Sequence, residues 1–354
     1  MRAATDGRGE EAISAVQERP TSFDIAALAG VSQPTVSRAL RGSTTVSLAT
    51  RMRIEEIARQ LNYKVDKNAS NLRSAHSNTL ALLLFEDPTP DNTLINPFFL
   101  SMLGTITRTC ALRGYDLLIS FQQLSGDWHV DFEDSRKADG LILLGYGDYN
   151  DYAVRLAQLV RQGTHFVRWG SVGAGASEPV IGCDNFQGGC DVTAHLIERG
   201  RRDIAFVGAA TSASPEFRDR FRGYKTALKH AGLTHLPTLH VDAISSEAAG
   251  YEAAIRLIGR GERFDAVVAA SDLMAMGVLR AFEEHGLRVP DDVAVTGFDD
   301  ILASGFTSPP LTTVSQDLHA AGELLVDTLL KRIRAEPVES AMLPARVVVR
   351  RSSG

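Results

Sequence analysis

Hydrophobic positions along the chain change period twice, and those changes divide it. Residues 23–40, FDIAALAGVSQPTVSRAL, carry two short helical stripes separated by a glycine. Ile25, Leu28 and Ala29 give the first helix an apolar side, and Gly30 suits a tight turn because it accepts positive φ at no steric cost. Ser32 stands at the N-cap position of the second helix, and Pro34 falls in its first turn, where a missing N–H does little harm. Val36, Ala39 and Leu40 form the packing side, and Gln33, Pro34, Ser37 and Arg38 the outward side. Ser47 opens a third helix with Ile54, Ile57, Ala58 and Leu61 at i, i+3, i+4, i+7. The three helices enclose about 50 residues, a size at which a core is marginal without support.

The run VDKNASNLRSAHSNT follows, with Leu72 its one long aliphatic side chain, and reads as a linker. Beyond it the period shortens. Residues 80–85, 115–121, 141–145 and 165–169 are apolar runs that predict buried strands, with helices over 98–113 and 152–161. A second series places strands at 204–208, 238–241, 266–270 and 293–298, with helices near 186–199, 217–231, 247–260 and 272–285. Continuous apolar strands alternating with helices predict parallel sheets covered on both faces, hence an α/β body of two subdomains with a cleft between them. The expected layout is a leader over 1–21, a head over 22–66, a hinge over 67–77 and a body over 78–354. Within the body one subdomain takes about 78–183 and 318–337, and the other about 184–317 and 338–354.

Charge sharpens this division. The formal net charge is -6, which argues against a polycation that coats nucleic acid along its whole length. Yet Arg38, Arg41, Arg51, Arg53, Arg59, Lys64, Lys67 and Arg73 crowd one stretch against Glu55, Glu56 and Asp66. A basic three-helix head whose second helix shows small polar groups and one Arg fits a DNA major groove. An ordinary αα-hairpin is the competing reading of residues 23–40 alone. The hydrophobic content of 44% is that of a globular protein, and no apolar run approaches a membrane span. The N-terminus shows no signal-peptide core, so a cytoplasmic protein without membrane contact is expected.

Catalytic and metal chemistry leave little trace. Cys110, Cys183 and Cys190 are an odd count without framework spacing and are expected to be reduced thiols. Cys183, Cys190 and His195 match no metal-site spacing, and residues 170–175, GSVGAG, lack the following helix that a dinucleotide loop needs. No Walker loop, nucleophile elbow or HExxH occurs. Neither an enzyme nor a cofactor is expected.

In this order, IAALAGVSQPTVSRAL, VSLATRMRIEEIARQLNY, NPFF (96–99), Asp184–Asn185, RFRGYKTAL (220–228), residues 271–300 and PPLTTVSQD (309–317) resemble the lactose-repressor (LacI/GalR) family of bacterial transcription factors. The resemblance covers about residues 22–352. It implies a helix-turn-helix head on a periplasmic-binding-protein-like effector domain, working as a homodimer on double-stranded operator DNA. Ser32, Gln33, Pro34, Thr35, Ser37 and Arg38 would then face DNA. Asn71 and Leu72 would belong to a hinge whose leucine wedges a minor-groove step, where a plain flexible linker is the alternative.

The implied effector is a sugar or sugar derivative, held by Phe98, Phe99, Arg168, Trp169, Arg220, Ser271, Asp299 and Gln316. Arg220 and Asp299 are expected on opposite sides of the ligand, as donor fork and acceptor. Core packing is the alternative for the two phenylalanines, and local capping for Asp299 and Asp300. Arg168, where the family often has Asp, hints at an anionic ligand group or else forms a surface salt bridge. Several positions depart from the family: Tyr63-Lys64-Val65-Asp66 at the hinge approach, Ser271 in place of Asn, and Ile244-Ser245-Ser246 without the usual aromatic. The competing function is a sugar-binding protein of periplasmic type, and the basic head argues against it.

Overall fold

The structure is a computed structural model and describes residues 20–40, 42–63, 76–85, 95–122, 126–145, 149–172 and 178–354. The hinge calls on Asn71 and Leu72, and nearly all of the leader, lie outside the described residues. The chain forms two compact units, 1–75 and 76–354.

In the first unit, α1 (Ser22–Ala29), α2 (Gln33–Leu40) and α3 (Leu48–Gln60) close on Ile25, Ala26, Ala29, Val36, Ala39, Val46, Ile54 and Ala58. Thr21 and Asp24 form a reciprocal capping box that starts α1, and Gly30 ends it at φ 61. Ser47 caps α3 by accepting from the Thr50 N–H. Leu28, expected to pack, is 63% exposed. Ala26 is buried instead, so the packed side of α1 is Ile25, Ala26 and Ala29.

The second unit holds two parallel sheets. The first has the order β11-β5-β4-β3-β1-β2, from β1 (Thr79–Leu84), β2 (Asp116–Phe121), β3 (Leu141–Leu144), β4 (Phe166–Trp169), β5 (Val180–Cys183) and β11 (Ala341–Leu343). Helices α4 (Pro97–Leu112), α5 (Tyr149–Gln162) and α10 (Leu318–Ile333) accompany it. The second sheet has the order β7-β6-β8-β9, from β6 (Ile204–Val207), β7 (His240–Val241), β8 (Ala266–Ala269) and β9 (Ala294–Thr296). With it go α6 (Asn185–Glu198), α7 (Pro215–His230), α8 (Glu247–Gly259) and α9 (Asp272–Glu284). An antiparallel pair, β10 (Thr313–Gln316) with β12 (Ala345–Val348), continues from β9 through bridges at Thr296 and Asp299.

Two expectations about the sheets need correction. Residues 115–121 were expected as a buried strand, but β2 is the sheet's edge, with Leu118, Ile119 and Phe121 37%, 47% and 43% exposed. A terminal strand has a neighbour on one side only, so apolar content does not ensure cover. The return to the second subdomain was expected near 338, but β11 pairs with β5, so the chain stays with the first sheet through Leu343.

Candidate functional site

In the head, Pro34 and Arg38 are exposed one turn apart on α2, while Gln33, Thr35 and Ser37 are half-buried. The Ser32 carbonyl accepts the N–H groups of Thr35 and Val36, and its exposed hydroxyl lies 2.9 Å from that of Thr35. Gln33 donates from Nε2 to the Ser22 hydroxyl at 3.1 Å, so part of its hydrogen-bonding capacity ties α2 to α1. The outward face thus carries one rigid ring and one guanidinium.

In the body, the polar centre sits at the carboxyl ends of the second sheet, where open α/β sheets place ligands. Arg220 lies in α7, which approaches α6 at backbone distance. A Cβ on Gly189 would overlap the Arg220 carbonyl, and one on Gly223 would overlap the carbonyl of Phe186. That close crossing fixes where the guanidinium starts. Its Nε donates to Asn185 Oδ1 at 2.8 Å, Nη1 donates to the Ala270 carbonyl beyond β8, and Nη2 lies 3.3 Å from Asp299 Oδ1. The guanidinium carbon lies 3.7 Å from the centre of the Phe298 ring.

Asp299 follows β9 at φ 110, a conformation that side-chain-bearing residues rarely adopt. Its N–H donates to the Val314 carbonyl at 2.8 Å, and Gln316 Nε2 donates to Oδ1 at 2.8 Å. Burial pushes its carboxyl up to about 6, against the pull of Arg220 and Gln316. Asp272, fully buried nearby, accepts from the Ile301 N–H at 2.8 Å and from the Thr313 hydroxyl. Burial, and then the charge of Asp299, hold the Asp272 carboxyl well above the ordinary range.

The first sheet contributes an aromatic wall. Asn96 caps α4 and sets Phe98 and Phe99 in its first turn, with ring centres 5.2 Å apart. Trp169, at the end of β4, lies 6.0 Å from Phe98. All three are buried. Arg168 beside Trp169 is buried too, and its Nε donates to Glu178 at 2.9 Å, so it forms an internal ion pair and not a surface one.

Polar links join the two halves. The Ser171 N–H donates to Glu216 Oε1 at 2.9 Å and its hydroxyl to Asp219 Oδ2 at 2.8 Å. The Tyr149 N–H, opening α5, donates to the Ala213 carbonyl at 2.9 Å. Asn96 Nδ2 reaches the Ser245 hydroxyl at 3.5 Å, and Ser245 donates to Ser271 Oγ at 2.9 Å. Ser271 also caps α9, so its oxygen is engaged.

The structure therefore brings Arg220, Asp299 and Gln316 into one cluster and Phe98, Phe99 and Trp169 into another, with Arg168 set apart on Glu178 and the Tyr149 ring, and Ser271 at a link between halves. Arg220 and Asp299 do not face each other across an open ligand space, because they are paired directly. Sequence reasoning passed over the roles of Asn185, Glu178, Ser171, Glu216 and Asp219. Asn185 was visible beside Asp184, but its bond to Arg220 spans 35 residues. Burial pushes the Cys183 thiol up to about 12, and Cys190 donates to the Gly223 carbonyl. His195 bonds Ser353 at 2.8 Å. Among the described residues no three ligating side chains group for a metal, and no helix is long and apolar enough to cross a membrane.

Comparison with known proteins agrees with both units. Residues 23–66 match the model of bacterial regulatory proteins, lacI family, and residues 193–353 match a periplasmic binding protein-like domain. The chain is 30% identical over 328 residues to the ribose operon repressor of Escherichia coli (strain K12), covering 91% of this chain and 96% of that one. Among solved structures, a complex of transcriptional regulator CelR with cellobiose is similar with a TM-score of 0.70 at 30% identity, covering 94% of this chain and 100% of that one. The lac repressor dimer bound to operator and the anti-inducer ONPF is similar with a TM-score of 0.80 at 25% identity, covering 95% and 99%.

Proposed function

Because the chain belongs to the lacI family of bacterial regulatory proteins, we propose that it is a ligand-responsive, sequence-specific DNA-binding regulator. It represses carbohydrate-utilisation genes as a homodimer and works by binding, without catalysis. The observation that carries this reading is the pairing, in one chain, of an α2 that exposes Pro34 and Arg38 with a body built on the buried Arg220–Asp299–Gln316 cluster.

The effector in this reading is a neutral polyol or saccharide. Arg220 is matched by Asp299 and Arg168 by Glu178, so an anionic ligand would have to break a buried ion pair first. Hydroxyls can instead join such a network as both donor and acceptor, while Phe98, Phe99 and Trp169 offer an apolar wall. The sugars in the relatives' names, ribose and cellobiose, agree with this class.

Two uncovered apolar stretches support the homodimer. One is the β2 edge with Leu118, Ile119 and Phe121, and the other is the turn that exposes Leu302 and Phe306 at 80% and 81%. Contiguous apolar surface left in water is a mark of association.

Selection of duplexes from a random pool by the purified protein tests the reading, and a two-fold symmetric motif is expected. Arg38→Ala should flatten preference at one position of each half-site, since a bidentate Arg–guanine contact is worth ~1–3 kcal/mol. A pool that yields no symmetric motif sinks the proposal.

A further inference from the structure

The bend that carries Asp299 is clamped at both ends by one other residue. Asp299 sits at φ 110 and Asp300 at φ 50, both in the left-handed half of backbone space. Residues with side chains are rarely found there, and such conformations persist where the surroundings over-determine them. Asp272, the first residue of α9, supplies that determination. Its N–H donates to the Phe298 carbonyl at 2.8 Å, before the bend, and its Oδ2 accepts from the Ile301 N–H at 2.8 Å, after it. Its Oδ1 accepts from the Thr313 hydroxyl on β10. The next residue of that strand, Val314, takes the Asp299 N–H, and Gln316 donates to the Asp299 carboxylate. Asp272 thus ties the bend to the strand that holds the partners of Asp299.

Sequence and burial show what this clamp requires. Asp272 is fully buried, and the backbone of Gly297 passes against its carboxylate, so that a Cβ at 297 would overlap Oδ1. Glycine at that position lets the carboxylate reach both donors. The two carboxylates of the bend have counter-charges of their own, Arg220 for Asp299 and Arg350 for Asp300 at 2.7 Å. The Asp272 oxygens are met instead by a backbone N–H and a hydroxyl. An amide of the same shape can replace such a group, accepting from the N–H and donating to the hydroxyl.

We propose that Asp272 is a positioning residue for effector recognition: it holds the bend at 298–301 so that the Asp299 carboxylate meets Arg220, Gln316 and a ligand hydroxyl together. The proposal rests on the reading of the body as a saccharide-binding unit. Released from the clamp, the bend relaxes toward an ordinary backbone conformation and Asp299 loses its aim. A site built to bond a hydroxyl rejects the analogue that lacks it, and that discrimination depends on the acceptor staying in place.

The test uses full-length protein and two readouts. The first needs no ligand and follows hydrogen exchange in the peptide spanning 298–306, with peptides from β1 and β8 as references. Asp272→Ala frees the Ile301 N–H, so exchange in the bend should quicken about tenfold or more while β1 and β8 keep their protection. Gly297→Ala displaces the carboxylate without removing it and should act in the same direction. Asp272→Asn should keep most of the protection, and Thr313→Val should fall between. Exchange that quickens evenly over the whole body marks a merely structural role and overturns the proposal.

The second readout compares D-ribose and cellobiose with their single-deoxy analogues. Wild-type protein should bind one parent sugar about tenfold or more above the analogue that lacks the hydroxyl meeting Asp299, and Asp272→Ala should cut that ratio below about threefold. Asp272→Asn should restore most of it. If Asp272→Ala fails to fold, Gly297→Ala and Thr313→Val carry both readouts. Folded variants that keep the wild-type ratio overturn the proposal. Wild-type protein that binds neither sugar sinks the saccharide reading, while the exchange pattern still decides whether Asp272 holds the bend.

Discussion

Arg220 and Asp299 stand 3.3 Å apart, with both side chains 2% exposed. The pair binds the middle of α7 to the loop after β9, and Gln316 extends it to the strand β10, which leads back toward the first sheet. A ligand that exchanges bonds with this cluster acts on several segments of the body together. Its effect on DNA binding is limited to the difference between its affinities for the body's alternative states.

Breaking the pair from one side should be costly. Arg220→Ala leaves a buried carboxylate without its cation, and such losses run to about 3–5 kcal/mol. Urea denaturation should show a lowered midpoint with an unchanged slope. Asp299→Asn breaks the pair from the other side and leaves a buried guanidinium without its anion, so it should lose stability too, offset in part by the amide oxygen that still accepts from Gln316. Unchanged stability in both variants would show that the ion pair is not what holds the cluster.

Ligand binding should depend on pH through Asp299. Its carboxyl titrates at about 6 in the folded body. If the ligand's hydroxyls bond to the ionised form, affinity rises with pH through 6 and then levels off. The group's own contribution to folding runs the other way: the folded state holds the proton more tightly than the unfolded chain, so stability falls as pH rises from 3.8 to about 6. Titration calorimetry with the saccharide that most raises the melting temperature in a panel would follow the first effect. A flat profile for the wild type, or one unchanged in Asp299→Asn, would count against Asp299.

Ser171→Ala deletes the hydroxyl bond to Asp219 that spans the two halves. One such bond is worth about 0.5–1.5 kcal/mol. A saccharide that favours the joined arrangement should therefore bind roughly two- to tenfold more weakly. Trp169, in the aromatic wall, should change its emission when the saccharide binds, and that change should reach the wild-type amplitude at saturation. Unaltered affinity would mean that the Ser171 link does not contribute to ligand binding.

A charge placed on the β2 edge should impede self-association. Ile119→Lys alters a side chain that is 47% exposed, so the fold should tolerate it. Sedimentation should show the monomer fraction rising, with DNA affinity falling in parallel. A variant as dimeric as the wild type would exclude this edge from the interface.

Much of this architecture was legible from local patterns. Gly30, Ser47 and the 3.6-residue stripe of Ile54, Ile57 and Ala58 specify the head, because caps and periodicity act over a few residues. The same holds for β1 to β4 and β6 to β9, whose apolar runs needed only flanking turns to be recognised, whereas β5 went unread. The motif order also placed Arg220, Asp299 and Gln316 in the chain. What the sequence left undetermined is what each side chain does once distant segments meet. Arg168 found Glu178, Arg220 found Asp299, and Asp272 found Thr313, over separations of 10, 79 and 41 residues. A charge's effect depends on its burial and its nearest counter-charge, and neither is a property of the local sequence. For the same reason β2 reads as a core strand, yet only the sheet order makes it an edge. Composition and period decide which segments become strands and helices, while packing decides which faces stay in water and which charges are already spent on each other.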